Sequence, residues 1–323
     1  MFLRSDTSMA VLSAIPVVGE DGPLSIRHME TARRVASALC ADDRILLHGH
    51  AVPNLGRPEA ALDAMDAAVE QHPMAAWKVY THGPGPGWWL DDHEAGAPRV
   101  GRAFLDRARQ LGVTTVCVHK GFSGGSRFAS PEDVGPAAAA HPDLAFVVYH
   151  SGYEVSVPEG PFGEAGGGVD RLVASLRRAG VGPGSNVYAE LGSTWWNVLR
   201  DPTRAAHVLG KLLVAVGEDN VLWGTDSIWY GSPQDQIQAF RAFEIGEELQ
   251  ELHGYPALTP ARKAKILGAN AARLYGVEPP TTACEFTREE LEEVRRALPA
   301  PGRTWGPTTA SQVRAWRSSH GWL

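Results

Sequence analysis

The chain has 323 residues, 44% hydrophobic and 21% charged, enough for one large α/β barrel or two ordinary domains with an ample core. Its formal charge of −7 argues against nucleic acid or an anionic membrane surface as the main partner. Cys40, Cys117 and Cys284 are odd in number and widely spaced, no long apolar run exists and residues 1–20 lack a signal-peptide pattern, so a cytoplasmic protein without a disulfide framework or thiolate zinc site is expected.

Met9 to Pro16 reads as the first strand, and residues 28–41 as a helix with Met29, Ala32, Val35, Ala36 and Leu39 on one face. A second strand over 44–48 leads into Gly49-His50-Ala51-Val52-Pro53, where Gly49 and Pro53 suggest that the strand has ended. A helix at 58–72 starts at Pro58, and Ala75 to Tyr80 forms the third strand. Residues 81–97 then make a long loop rich in Gly, Pro and Trp, a length that usually signals function. Further on come a helix at 98–111, a strand over 113–119, a flexible loop from Gly121 to Arg127 and a short helix opened by Pro131. The strand over 145–150, the loop 151–168, the helix 169–179 and the strand 186–190 follow. Ala205 to Val216 is apolar at helical spacing, the last strand ends near Asp226, and helices are predicted over 234–252 and 260–275. From about Glu278 a charged helix (287–298) and a Pro/Gly/Trp-rich end form a C-terminal extension.

Several strands are continuous β-branched runs, as expected for a parallel sheet buried on both faces. Seven are found where a closed (β/α)₈ TIM barrel needs eight, and the first begins almost at Met1. An α/β barrel incomplete at its N-terminus is therefore expected over residues 1–277.

Four strands end on ionisable groups: His119, His150, Glu190 and Asp226. In a barrel these tips meet at one face, where catalytic groups gather. Neutral imidazole and carboxylate are the usual ligands of catalytic zinc, so His119, His150 and Asp226 are candidate metal ligands. Asp226 could instead cap the following helix. His150, Asp226, Glu190 and Lys78, another strand-tip residue, are candidate catalytic groups, with an ion pair to Glu190 or Asp226 as the alternative for Lys78. His48 and His50 form an H-x-H whose spacing signals metal only weakly. Trp88, Trp89, Trp195 and Trp229, with Trp196 and Tyr230, suggest a planar or apolar small-molecule substrate, or simple packing over the barrel mouth.

The segments Val118-His119-Lys120-Gly121, Tyr149-His150-Ser151-Gly152, Ala189-Glu190-Leu191-Gly192-Ser193, Gly224-Thr225-Asp226-Ser227 and Lys265 to Gly276 together resemble the amidohydrolase-related family over residues 5–277. That family includes enzymes like aminocarboxymuconate-semialdehyde decarboxylase. The resemblance implies a TIM barrel with a divalent metal, usually zinc and sometimes manganese. It places His119 and His150 at the histidines of strands five and six, and Asp226 at the aspartate of strand eight. In the decarboxylase-like branch the strand-six histidine resembles an acid/base group more than a ligand. The H-x-H pair of the family's first strand has no counterpart before Met9, and His48 and His50 would fall on the third strand of the parent barrel. A metal-dependent hydrolase is expected. A non-oxidative decarboxylase and an inactive barrel serving as binding subunit are the alternatives, and a homodimer is expected by analogy.

Overall fold

The computed structural model of the chain describes residues 5–16, 24–40, 43–54, 56–163, 166–280, and 289, 290, 293, 296 and 311. The chain divides into two compact units, Met1–Cys284 and Glu285–Leu323, a boundary slightly beyond the one expected at 277. In the second unit Glu289, Glu290, Glu293 and Arg296 are helical, within the charged helix expected there; the rest of that expectation lies outside the described residues.

Seven strands form one sheet: β1 (Ala10–Leu12), β2 (Ile45–His50), β3 (Met74–Tyr80), β4 (Thr115–His119), β5 (Ala145–Tyr149), β6 (Val187–Glu190) and β7 (Val221–Leu222). All neighbours are parallel and follow chain order. Among the described residues β1 and β7 do not pair, so the sheet curls into an incomplete TIM barrel, as the strand count predicts. Strand alternation sends successive side chains to opposite faces. Trp77, Val79, Val116, Val118, Phe146 and Val148 join the large core under the helices. Ala76, Cys117, Val147 and Leu222 face the barrel interior, where Ala271, Leu274 and Tyr275 pack against them.

The helices are α1 (Ile26–Cys40), α2 (Pro58–Gln71), α3 (Gly101–Gln110), α4 (Val134–Ala140), α5 (Val169–Arg178), α6 (Thr194–Val198), α7 (Pro202–Val216), α8 (Ser227–Tyr230), α9 (Gln234–Ala242), α10 (Glu247–His253), α11 (Pro260–Ala264) and α12 (Asn270–Tyr275). None of those described is long and apolar enough to cross a membrane. Several sequence expectations need correction. The strand β2 continues through Gly49 to His50, because its ladder with β3 runs on to the pairing of His50 with Lys78. The helix expected over 234–252 is two helices: the backbone turns extended at Phe243, whose ring packs against Trp195, and α10 starts only after Gly246. The helix over 260–275 carries a π-helical turn, Lys265–Ala269, between α11 and α12. Cys40 is disulfide-bonded, which the odd cysteine count concealed, whereas Cys117 is a free buried thiol.

Buried ion pairs tie the long loops to this frame. Lys211 of α7 is buried, with its ammonium 2.6 Å from both Glu159 and Asp170. The second oxygens of those carboxylates accept the backbone N–H groups of Val169 and Gly163, which fastens the 151–168 loop to α5 and α7. Removing the cation would leave two buried carboxylates uncompensated, a cost of roughly 3–5 kcal/mol. Lys211→Met is therefore expected to lower the melting temperature by many degrees. An unshifted thermal melt would show that the triad carries no stability.

Candidate functional site

Imidazoles and carboxyls from the tips of β4, β5, β6 and β7 meet at one end of the sheet. His150 sits just beyond β5, buried and with φ 66°. Its Nδ1 lies 2.6 Å from the Gly192 carbonyl, which can only accept, so Nδ1 carries the proton. In the neutral ring Nε2 is then an acceptor, and His119 Nδ1, 3.1 Å away, donates to it. Burial is the first cause holding both rings neutral: His150 falls to about 4 and His119 well below the ordinary histidine value. Asp226 Oδ2 stands 3.8 Å from His150 Nδ1 and accepts a 2.5 Å hydrogen bond from Ser193, whose oxygen in turn accepts from Tyr230. Asp226 does not cap α8; its φ is 48° and its side chain turns to Ser193.

Glu190 underpins this arrangement. Its carboxyl accepts the N–H of His150 at 3.3 Å and of Gly192 at 2.8 Å. The space it occupies exists because residues 192 and 224 are glycine: a Cβ on Gly224 would lie 1.4 Å from Glu190 Oε1, and one on Gly192 would lie 2.6 Å from it. Burial first, then the charge of Asp226, raises Glu190 to about 8. Lys78 is buried on β3 with its ammonium 3.3 Å from the Tyr149 ring centre and 4.9 Å from that of Tyr80. Desolvation lowers it to about 8. The ion pair to Glu190 or Asp226 that was the alternative for Lys78 does not form among the described residues; Lys78 lies against rings instead.

His150, Ser151, Ser193 and Asp226 all hold left-handed backbone conformations although none is glycine. Such strain costs of order 1–3 kcal/mol per residue and clusters where function over-determines geometry. Here it marks the tips of β5, β6 and β7.

The structure also places residues that the sequence reading passed over. His82 ends an alternating set, Lys78-x-Tyr80-x-His82, and its ring centre is 4.7 Å from that of His119. That alternation just beyond a strand was the available signal. The Nδ1 of His82 and the Nε2 atoms of His48 and His50 are buried without hydrogen-bond partners. Burial lowers His48 to about 3 and His50 to about 4. The indoles lie elsewhere: Trp88 packs against Phe104, Trp89 donates to Glu94, Trp195 donates to the Gln236 carbonyl among Phe240 and Phe243, and Trp229 is exposed. None of these four lines the cavity of about 410 Å³ that reaches Tyr149, Glu190 and Asp226.

His119, His150 and Asp226 are thus brought together, but joined by their own hydrogen bonds. His150 uses one ring nitrogen on Gly192 and the other on His119, and Asp226 is engaged by Ser193. Among the described residues no group of three or more His, Cys, Asp or Glu is disposed to hold a metal ion. The donors as arranged do not fit a divalent cation.

The amidohydrolase family profile matches residues 8–277. No curated protein matches the chain. Among solved structures, an amidohydrolase II is 16% identical with a TM-score of 0.51, over 85% of this chain and 86% of that one. An uncharacterised TIM-barrel protein from Bordetella bronchiseptica is 17% identical with a TM-score of 0.49, over 79% of this chain and 73% of that one.

Proposed function

This chain belongs to the amidohydrolase family, and on that premise we propose that its site hydrolyses a small amide, ester or lactone by acid–base chemistry centred on His150. Members of the family generally carry a divalent metal, with zinc or manganese expected from the resemblance. The donors here do not fit one, and the chemistry proposed uses no ion.

With Nδ1–H fixed on the Gly192 carbonyl, His150 holds its Nε2 lone pair toward the His119 N–H; a bound water that displaces that donor can give its proton to Nε2 as it attacks. The imidazolium that forms is offset by the Asp226 carboxyl 3.8 Å from Nδ1, and it returns the proton to the leaving nitrogen or oxygen as the oxyanion collapses and the scissile bond breaks. In the resting site His119 orients the accepting nitrogen. The buried Lys78 ammonium, which lies against the Tyr149 ring and does not line the cavity, supplies fixed positive charge from behind that ring as an oxyanion develops. The observation that carries this reading is the pinned, strained His150 between a carbonyl and a second imidazole. The same ammonium, unpaired with a carboxylate among the described residues, favours a second reading, decarboxylation of an unsaturated or aromatic acid.

His150→Gln is expected to lower kcat by about 10²–10⁴-fold on a panel of neutral esters and amides, and Asp226→Asn by less. Carbon dioxide release from aromatic acids, with no ester or amide turnover, would replace hydrolysis by the second reading. The pH profile gives an independent check. His150 must be neutral, and at about 4 it stays neutral far below the ordinary 6.5, so activity should persist to about pH 5. Lys78 must be charged, so activity should fall above about pH 8. An acid limb centred near 6.5 would rule out buried His150 as the base.

A further inference from the structure

The cavity that reaches the site is walled by the gap in the barrel. Its apolar lining includes Leu12 of β1, Leu46 of β2, Val147 of β5, Leu222 of β7, Ile237 of α9 and Leu267 of the π-helical turn. No described residue of the loops 81–97, 121–127 or 151–168 contributes. Both margins of the gap line it, residues 6–13 around β1 and residues 222–227 at and beyond the end of β7. At the rim Asp6 spans this gap: its N–H donates to Gln234 of α9 at 2.8 Å, and its carboxylate pairs with Arg241.

Two features of the lining define what fits. Ser13, immediately beyond the tip of β1, lines the cavity, and its Oγ is buried without a hydrogen-bond partner. A buried hydroxyl with no partner is costly, and a ligand acceptor would satisfy it. Glu190 and Asp226 line the same space, and Lys78 does not. Arg241, the one cation among the described lining residues, is already paired with Asp6 at the rim. An anionic head would thus meet the Asp226 carboxyl with no unpaired cation, whereas a neutral carbonyl can accept from Ser13.

We propose that this cavity takes a neutral small molecule with an apolar body and a carbonyl head, admitted between β1 and β7 and hydrogen-bonded by Ser13. This names the substrate class of the site described above and rests on that reading for its link to catalysis. A cavity of about 410 Å³ lies within the range of small-molecule sites, and its apolar wall gives the body more contact than the head.

Binding of phenylacetamide and of its carboxylate counterpart, phenylacetate, by calorimetry on the full chain tests it without turnover. Phenylacetamide should bind at least about tenfold more tightly than phenylacetate. Ser13→Ala should weaken the amide about fivefold, the worth of one hydrogen bond, with an unchanged melting temperature because the hydroxyl has no partner to lose. Leu267→Trp in the π-helical turn and Leu12→Trp on β1 should each abolish binding, so one informative variant remains if the other fails to fold. His150→Gln should bind normally, so a failure of the hydrolytic reading would leave this result standing. Phenylacetate binding as tightly as phenylacetamide, no binding of either by the unaltered protein, or full affinity in Ser13→Ala would overturn the proposal.

Discussion

Acidification from about pH 7 to about pH 4.5 is expected to bring the protein to the edge of unfolding. His48, His50 and His150 lie at about 3, 4 and 4 in the folded chain, in each case chiefly because burial disfavours the charged ring. Unfolded, they titrate near 6.5, so between about 6.5 and about 4.5 unfolding takes up three protons. Glu190 acts in the opposite sense: raised to about 8, it is protonated when folded and releases its proton on unfolding above about 4.5. The net uptake is two protons, and across two pH units at about 1.4 kcal/mol per proton and unit the loss is roughly 5 kcal/mol. That equals the whole stability of many domains. His119 and His82 are also depressed and add to the loss, while the raised carboxyls of Asp133 and Glu159 subtract from it. Between about 7 and 8 Glu190 gives a falling slope, and above about 8 Lys78, lowered from 10.5, gives an opposing rise, so a local maximum should lie near pH 6.5–7. Urea titrations at half-unit pH steps check this; equal midpoints at both ends of the window would contradict it.

Gly224→Ala should abolish activity although glycine to alanine is the smallest side chain that can be added. The new carbon would fall 1.4 Å from Glu190 Oε1 and 2.9 Å from the Gly192 nitrogen, so the carboxyl must leave. The N–H groups of His150 and Gly192 then lose their acceptor inside the protein, at about 1–3 kcal/mol each. The backbone that holds His150 left-handed loses its brace, and a displacement near 1 Å at a catalytic group can cost about 10²-fold in rate. Gly192→Ala, with 2.6 Å available, should act in the same direction less severely. Turnover of Gly224→Ala within a few-fold of the parent, in a protein that still melts cooperatively, would show that the Glu190 brace is dispensable.

The frame was legible because buried parallel strands write themselves as unbroken apolar runs, each closed by a polar tip. His119, His150, Glu190 and Asp226 could be placed at one end of the sheet for that reason. What each tip does depends on partners distant in sequence. The proton on His150 is assigned by the Gly192 carbonyl, and Asp226 is turned from its helix by Ser193, neither predictable from strand periodicity. Left-handed conformations at non-glycine residues are imposed by tertiary packing, so composition gives no hint of them. The tryptophans left two readings open for a related reason: an indole in a Gly/Pro-rich loop can face the mouth or turn under it. Trp88 and Trp89 turn under, as the loop is tied down by Thr81 to the Phe128 carbonyl and by the Leu90 N–H to Asp133. Gly49 read as a strand end because its lack of a side chain resembles a turn signal; in the sheet it leaves room for the Trp77 ring.

Strand neighbours in this sheet are also neighbours along the chain, from the first to the seventh. A ring would make every register depend on every other, since its circumference must close. Here the ladder is linear, so an altered length or slipped register at one margin leaves the pairing at the other undisturbed. The geometry around β4 and β5, in the middle of the ribbon, is thereby insulated from variation at its ends.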